Sequence, residues 1–129
     1  MTDKKKVLIV DDDPDFLEQM DMMFQAKGYQ TRTSPGRKEA EAVLEEYQPE
    51  IAVIDLMMEN DDDGFVLAYR LKRKLPECAV LMVTNVTGET GLEFPRVDDS
   101  AGWISADAVF SKPVRFEQLE EQLRKMGKA

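Results

Sequence analysis

Short runs of apolar residues divide the chain and predict buried β-strands. The four clearest runs are Val7–Val10, Ile51–Ile54, Ala79–Val83 and Ala108–Phe110. They are rich in valine and isoleucine and do not alternate with polar residues, which is typical of strands buried on both faces of a sheet. A more polar strand is predicted at Tyr29–Thr33, because it follows the helix-stop pair Lys27-Gly28.

Between the predicted strands, apolar residues recur at the three- and four-residue spacing of helices. The four stripes are Phe16-Leu17-Met20-Met23-Phe24, Ala40-Val43-Leu44-Tyr47, Phe65-Leu67-Ala68-Leu71 and Phe116-Leu119-Leu123. Asp13 or its neighbour is placed to cap the first helix, with Pro14 early in it. We expect the methionines to fill gaps in the core.

The elements alternate as β-α-β-α-β-α-β, followed by an irregular segment, a strand and a helix. This alternation predicts an α/β fold with a parallel sheet, right-handed crossovers and helices on both faces. The length of 129 residues suits a single domain over residues 1–129, with its core at about 5–126. In such folds the functional groups gather at the carboxyl ends of the strands.

Composition excludes several classes of function. The 17 basic and 26 acidic residues give a net charge of −9, which argues against nucleic acid or an anionic membrane as a partner. The chain has no histidine, so it has no histidine-based metal site or catalytic triad. The single cysteine, Cys78, fits a reducing cytoplasm, and we expect it to be a small apolar side chain. The apolar run near the N-terminus is too short for membrane insertion.

Polar residues stand where the predicted strands end. They are Asp11, Asp12 and Asp13 after the first strand, Asp55 after the third, Thr84 after the fourth and Lys112 after the fifth. Carboxylates without soft ligands suit Mg²⁺, which would also relieve their mutual repulsion. Asp55 is then placed as a nucleophile towards a phosphoryl group, with Lys112 and Thr84 neutralising and hydrogen-bonding its oxygens.

The chain resembles the response-regulator receiver domains of two-component signalling over about residues 5–126. The matching motifs are IVDDDP, VIDLMM, LMVTN and FSKPV. The resemblance implies a flavodoxin-like (βα)5 sandwich with a five-stranded parallel sheet in the order 2-1-3-4-5. It further implies phosphorylation by a sensor histidine kinase or a phosphotransfer protein, and an output through contact with a downstream protein.

The resemblance also implies a role for each matching residue. Asp55 is the phosphoacceptor. Asp12 binds Mg²⁺ directly, Asp11 acts mainly through water, and the backbone carbonyl of Met57 completes the protein ligands, with Mn²⁺ able to substitute. Thr84 and Lys112 bind the phosphoryl group, and Asp13 is left as the helix cap.

Several positions depart from the family pattern. Glu59 replaces a proline within a longer acidic loop, and Asn85 replaces a very small residue after Thr84. Together with Met57 and Val86, these residues are candidate modulators of phosphoryl lifetime. The family has an aromatic residue with a switching role three positions before the lysine, and Val109 stands at that position here. The neighbouring Phe110 should point to the opposite face of its strand.

The segment Val86–Val109 departs most strongly from the family pattern. It holds three glycines and a proline and lacks a helical stripe, so we expect the family's fourth helix to be irregular or replaced by a loop. Phe94, Trp103 and Ile104 are expected to anchor that loop, or else to form a patch for a partner. Ordering of the loop on phosphorylation would then replace the usual switch.

These observations predict a cytoplasmic, stand-alone receiver rather than an enzyme, with only self-catalysed aspartyl phosphorylation and dephosphorylation. The sequence leaves open whether the chain is a fragment of a longer protein. One alternative is a receiver-like module that binds without phosphorylation. Another is a haloacid-dehalogenase-type phosphatase that uses Asp11 and Asp13; in that class the lysine should precede the last acidic pair, whereas Asp98-Asp99 precedes Lys112.

Overall fold

The computed structural model describes residues 5–55, 63–84, 107–111 and 114–128. The strands among them are β1 (Lys6–Val10), β2 (Gln30–Ser34), β3 (Ile51–Asp55), β4 (Ala79–Thr84) and β5 (Ala108–Ser111). The helices are α1 (Pro14–Ala26), α2 (Arg37–Val43), α3 (Asp63–Lys74) and α4 (Phe116–Lys125). All the predicted strands are therefore present, each within one residue of its predicted range: β1 begins one residue earlier, β3, β4 and β5 end one residue later, and β2 is shifted one residue towards the C-terminus.

The strands form one parallel sheet in the order β2-β1-β3-β4-β5. This confirms the flavodoxin-like doubly wound sheet with order 2-1-3-4-5. Val10 lies beside Ser34 on one side and Ile54 on the other, so β1, β2 and β3 end at the same level. The chain leaves β1 towards β2 on one side and later places β3 on the other, and this reversal makes the ends of β1 and β3 the topological switch point.

The sheet separates two apolar layers. Residues Val7 and Ile9 of β1 pack with α1 and α4, whereas Leu8 and Val10 pack with α2 and α3. All four side chains are fully buried. Both faces of the strand are thus covered, which is why the apolar runs lack polar alternation.

Helix α1 lies between a capping aspartate and the helix-stop pair Lys27-Gly28, as the sequence predicts. The Asp13 carboxylate accepts a hydrogen bond from the backbone N–H of Asp15 at 3.0 Å, and Pro14 occupies the first turn. Gly28, just beyond the helix, has a φ of 93°, a conformation that a side chain disfavours. The chain then turns into Tyr29, whose ring packs edge-on against Phe24 at 5.2 Å.

The prediction that the methionines fill the core is only partly correct. Met20 and Met82 are buried, but Met22 is 64% exposed and Met23 is 43% exposed. The helical spacing predicts Met23 within the buried stripe of α1, because it lies three residues after Met20. It sits about 100° around the helix from Phe24, however, at the edge of a stripe that Met20 and Phe24 already fill.

Strand β5 presents two large apolar residues to opposite faces. Val109 packs against the layer of α2 and α3, and Phe110 packs against the layer of α1 and α4. This confirms that Phe110 cannot stand in for an aromatic residue at position 109. Most of the segment predicted to be irregular, including Phe94, Trp103 and Ile104, lies outside the described residues.

Candidate functional site

Three carboxylates meet at the switch point of the sheet. Asp11 follows β1 directly, Asp12 comes next, and Asp55 is the last residue of the neighbouring β3. One carboxylate oxygen from each lies within 4.8 Å of the others. Because parallel strands end at a common edge, residues 44 positions apart in the sequence converge here.

The three carboxylates differ in their exposure to solvent. Asp11 is fully buried and Asp55 is 5% exposed, while Asp12 is exposed. Burial of an ionised carboxylate is costly unless a positive charge or hydrogen bonds compensate, and a second carboxylate nearby adds repulsion. The donor set consists of oxygens alone, which fits a hard divalent cation such as Mg²⁺.

Hydrogen bonds to the backbone of two neighbouring segments hold Asp11 in place. Its N–H donates to the carbonyl of Ser34 at the end of β2, at 3.1 Å, which continues the β1–β2 pairing by one residue. Its carboxylate oxygen Oδ1 accepts the N–H of Asp13 at 2.8 Å. Asp11 is therefore held by β2 on one side and by the first turn before α1 on the other.

Asp13, the third of the aspartates that follow β1, has a separate role in the structure. The Asp13 side chain caps α1, and the group of three is made of Asp11, Asp12 and Asp55. A phosphatase of the haloacid-dehalogenase type would need Asp11 and Asp13 to act together. The observed grouping instead joins Asp11 to Asp55.

The other residues predicted for the site are described in part or not at all. Thr84 ends β4, where it is paired with Ser111, the last residue of β5, but its side chain is outside the described part of the structure. The positions outside the described residues altogether are Met57, Glu59, Asn85, Val86 and Lys112. The roles assigned to all of these residues stay predictions.

Ser34 is a residue beside the site that the sequence did not reveal. Ser34 is 1% exposed, and its backbone carbonyl accepts a hydrogen bond from the N–H of Asp11. The predicted second strand stops at Thr33, one residue short of Ser34. Extending the strand by one residue and placing it beside β1 would have put Ser34 next to Asp11, but that placement depends on the strand order.

The chain has relatives among known proteins. The family model for the response regulator receiver domain matches residues 7–124. The probable transcriptional regulator ycf27 of Pyropia yezoensis is 30% identical over 126 residues, covering 94% of this chain and 46% of that protein. The DNA-binding dual master transcriptional regulator RpaA of Synechocystis is 26% identical over 121 residues, covering 92% and 47%. The chain thus spans about half the length of these curated relatives.

Solved structures give the same result. A CheY-like receiver domain protein from Methanospirillum hungatei JF-1 superposes with a TM-score of 0.76 at 25% identity, covering 98% of both chains. The response regulator TrrA of Thermotoga maritima, solved in complex with Mg²⁺-BeF, gives 0.74 at 23% identity and covers 95% of this chain and 98% of its own. With the family model matching most of its length, the chain belongs to the response regulator receiver domain family of two-component signalling.

Proposed function

We propose that this receiver accepts a phosphoryl group on Asp55 in a Mg²⁺-dependent reaction and signals through contact with another protein. The observation that carries the proposal is the group of three carboxylates at the switch point, with Asp55 almost fully buried within it. The donor would be a sensor histidine kinase or a phosphotransfer protein, and the downstream target would be a protein.

The three carboxylates would share the task of holding Mg²⁺, and Asp55 would in addition be the nucleophile. Asp11 and Asp12, with an oxygen of Asp55 and the backbone carbonyl of Met57, would hold Mg²⁺; Mn²⁺ offers the same preference for oxygen ligands. The bound cation would neutralise charge on the phosphoryl oxygens. Support comes from TrrA of Thermotoga maritima, a structural neighbour that was solved with Mg²⁺-BeF.

Phosphoryl transfer then consists of one substitution at phosphorus. A carboxylate oxygen of Asp55 forms a bond to phosphorus as the P–N bond of the phosphohistidine donor breaks. The electron pair stays on the imidazole nitrogen, which takes up a proton. Thr84 and Lys112 would bind the phosphoryl oxygens through the hydroxyl and the ammonium group. Attack of water on phosphorus later releases phosphate and restores the Asp55 carboxylate.

We infer a cytoplasmic location, because the single cysteine Cys78 fits a reducing compartment, and a protein rather than a nucleic acid as the partner. Within the described part of the chain, every helix is too short or too polar to cross a bilayer. The formal net charge of −9 disfavours attraction to phosphate backbones. The DNA-binding activity named for RpaA belongs to a protein about twice as long as the stretch it shares with this chain.

Intact-mass spectrometry tests the proposal. The chain is incubated with a small acyl-phosphate donor, with and without Mg²⁺, beside Asp55→Asn and the matched control Asp13→Asn, which retains a capping side chain. We expect a Mg²⁺-dependent gain of one phosphoryl group in the parent chain and the control, and none in Asp55→Asn. No gain in the parent chain, with Mg²⁺ binding intact, would contradict phosphorylation and favour a phosphorylation-independent binding module.

A further inference from the structure

A clamp formed by Lys72 and Asp107 joins α3, β4 and β5 at the end of the sheet opposite the carboxylates. The ammonium group of Lys72, in the last turn of α3, lies 2.8 Å from Oδ2 of Asp107, directly before β5. The same ammonium group donates to the carbonyl of Cys78, directly before β4, at 2.6 Å. Both side chains are only about one-quarter exposed, 25% for Lys72 and 28% for Asp107.

Asp107 also completes the pairing of β4 with β5. Its N–H donates to the carbonyl of Val80 at 2.7 Å, and its Oδ2 accepts the N–H of Val80, also at 2.7 Å. In a parallel pair that N–H would otherwise need the carbonyl of a strand residue further upstream. The aspartate supplies this acceptor from its own side chain, so the ladder begins firmly at residue 107.

Strand β5 has little else to set its register. It has four residues, and in the described part of the chain it pairs with β4 alone. Its large side chains, Val109 and Phe110, are both half-buried and face opposite layers. A slip by one residue would exchange one apolar side chain for another, so the apolar pattern specifies this register weakly.

We propose that Lys72 and Asp107 are positioning residues that fix the register of β5, and through it the placement of Lys112. Lys112 follows the last residue of β5 directly in the sequence. A one-residue slip displaces a strand by about 3.3 Å, which exceeds the tolerance of a hydrogen bond to a phosphoryl oxygen. The inference rests on the proposed function, because it assigns Lys112 to the phosphoryl group.

The test separates two properties of the site that draw on different strands. Mg²⁺ affinity depends on carboxylates at the ends of β1 and β3, whereas phosphorylation also requires Lys112 after β5. The variant Lys72→Met removes the ammonium group and keeps an unbranched apolar stem. The matched control Arg70→Met removes another α3 cation, one that pairs with Glu41 at 2.6 Å.

We expect Lys72→Met to slow phosphorylation by a small acyl-phosphate donor by about ten-fold or more, since small misplacements of catalytic groups have effects of this size. Its Mg²⁺ dissociation constant should stay within about two-fold of the parent value, because no ligand is moved. Lys72→Arg should restore most of the rate, and Arg70→Met should change neither quantity. Amide exchange should accelerate across residues 107–111 in Lys72→Met and stay unchanged in β1 and β3.

Two results would overturn the proposal. One is a parental phosphorylation rate in Lys72→Met. The other is a parallel loss of rate, Mg²⁺ affinity and exchange protection in all strands, which would indicate general destabilisation. If the parent chain is itself never phosphorylated, the proposed function fails, and hydrogen exchange still decides on the clamp: unchanged protection of β5 in Lys72→Met would refute it.

Discussion

The buried carboxylates Asp11 and Asp55 lie close enough for their charges to matter to the stability of the protein. Two unit charges at the 4.8 Å limit of their group repel by on the order of 3 kcal/mol at an effective dielectric constant of about 20. A bound divalent cation would convert this repulsion into attraction. Metal binding and folding stability should therefore be linked.

Substitution of Asp12 tests this linkage. Asp12 is exposed, so Asp12→Asn removes one charge without leaving a buried polar group unsatisfied. Without Mg²⁺ we expect a higher melting temperature than that of the parent chain, because repulsion with Asp11 and Asp55 is reduced. In the parent chain, Mg²⁺ at about 100 times its dissociation constant should add about 2.7 kcal/mol to the free energy of unfolding.

In Asp12→Asn that gain should fall by at least about 1.4 kcal/mol, the equivalent of a ten-fold weaker site. Calorimetric melting at several Mg²⁺ concentrations measures both effects. Asp13→Asn serves as the control and should respond to Mg²⁺ as the parent chain does. An undiminished Mg²⁺ response in Asp12→Asn would show that Asp12 is not a ligand.

Cys78 should contribute a pH dependence that is independent of the site. The thiol is 2% exposed, and burial raises its pKa from an ordinary value of 9.0 to about 12, against smaller opposing effects of Lys72 and Lys128. Above pH 9 the unfolded chain loses the thiol proton while the folded chain keeps it. The free energy of unfolding is therefore unaffected by the thiol below pH 9 and falls between pH 9 and about 12, as the unfolded chain ionises and the folded chain does not.

Denaturant unfolding of the parent chain and of Cys78→Ala from pH 8 to about pH 10.5 measures this effect. We expect the stability of the parent chain to fall more steeply, by up to about 1.4 kcal/mol per pH unit attributable to the thiol. Tyr29 and Tyr47, whose pKa values burial also raises, act in the same direction in both proteins. Parallel curves for the two proteins would show that the thiol is not buried in the folded state.

At the scale of elements, the turn from α1 into β2 depends on a single backbone conformation. Gly28 has a φ of 93°, and a β-carbon at this position would meet no atom within 4 Å, so strain rather than collision opposes a side chain. Gly28→Ala should therefore reduce the free energy of unfolding by about 1–2 kcal/mol. Chemical denaturation should show a lower midpoint and an unchanged slope.

Lys27→Ala is the natural comparison, because Lys27 precedes the turn with an ordinary φ of −94°. Its ion pair with Glu120, at 3.7 Å, is largely exposed on the lysine side. The stability of this variant should change by less than about 0.5 kcal/mol. Equal losses of unfolding free energy in the two variants would mean that the positive φ of Gly28 does not cause the effect of its substitution.

The elements were predictable because both faces of each central strand are buried, so apolar runs such as Ile51–Ile54 stand out in the sequence. Errors arose where a residue lies at a boundary. Met23 sits at the edge of the buried stripe of α1, and Ser34 extends β2 by one residue beyond its predicted end. Spacing alone does not distinguish such positions, because their burial depends on neighbouring elements.

At the scale of the whole molecule, strand order decides which polar residues meet. The alternation of strands and helices predicts a parallel sheet, but the order 2-1-3-4-5 follows only from the family resemblance. That order brings Asp55 close to Asp11 and places Ser34 beside Asp11. The clamp between Lys72 and Asp107 had no signal in the sequence, because two charged residues 35 positions apart carry no information about their distance in space.

We propose that this arrangement makes Asp55, rather than Asp11 or Asp12, the nucleophile. The most direct measurement is the position of the label after phosphorylation with a small acyl-phosphate donor in Mg²⁺. Borohydride reduction converts the acyl phosphate into a stable homoserine residue, which peptide mass spectrometry can locate. The predicted result is a single modified residue at position 55. Modification at Asp11 or Asp12, with Asp55 unmodified, would contradict the claim.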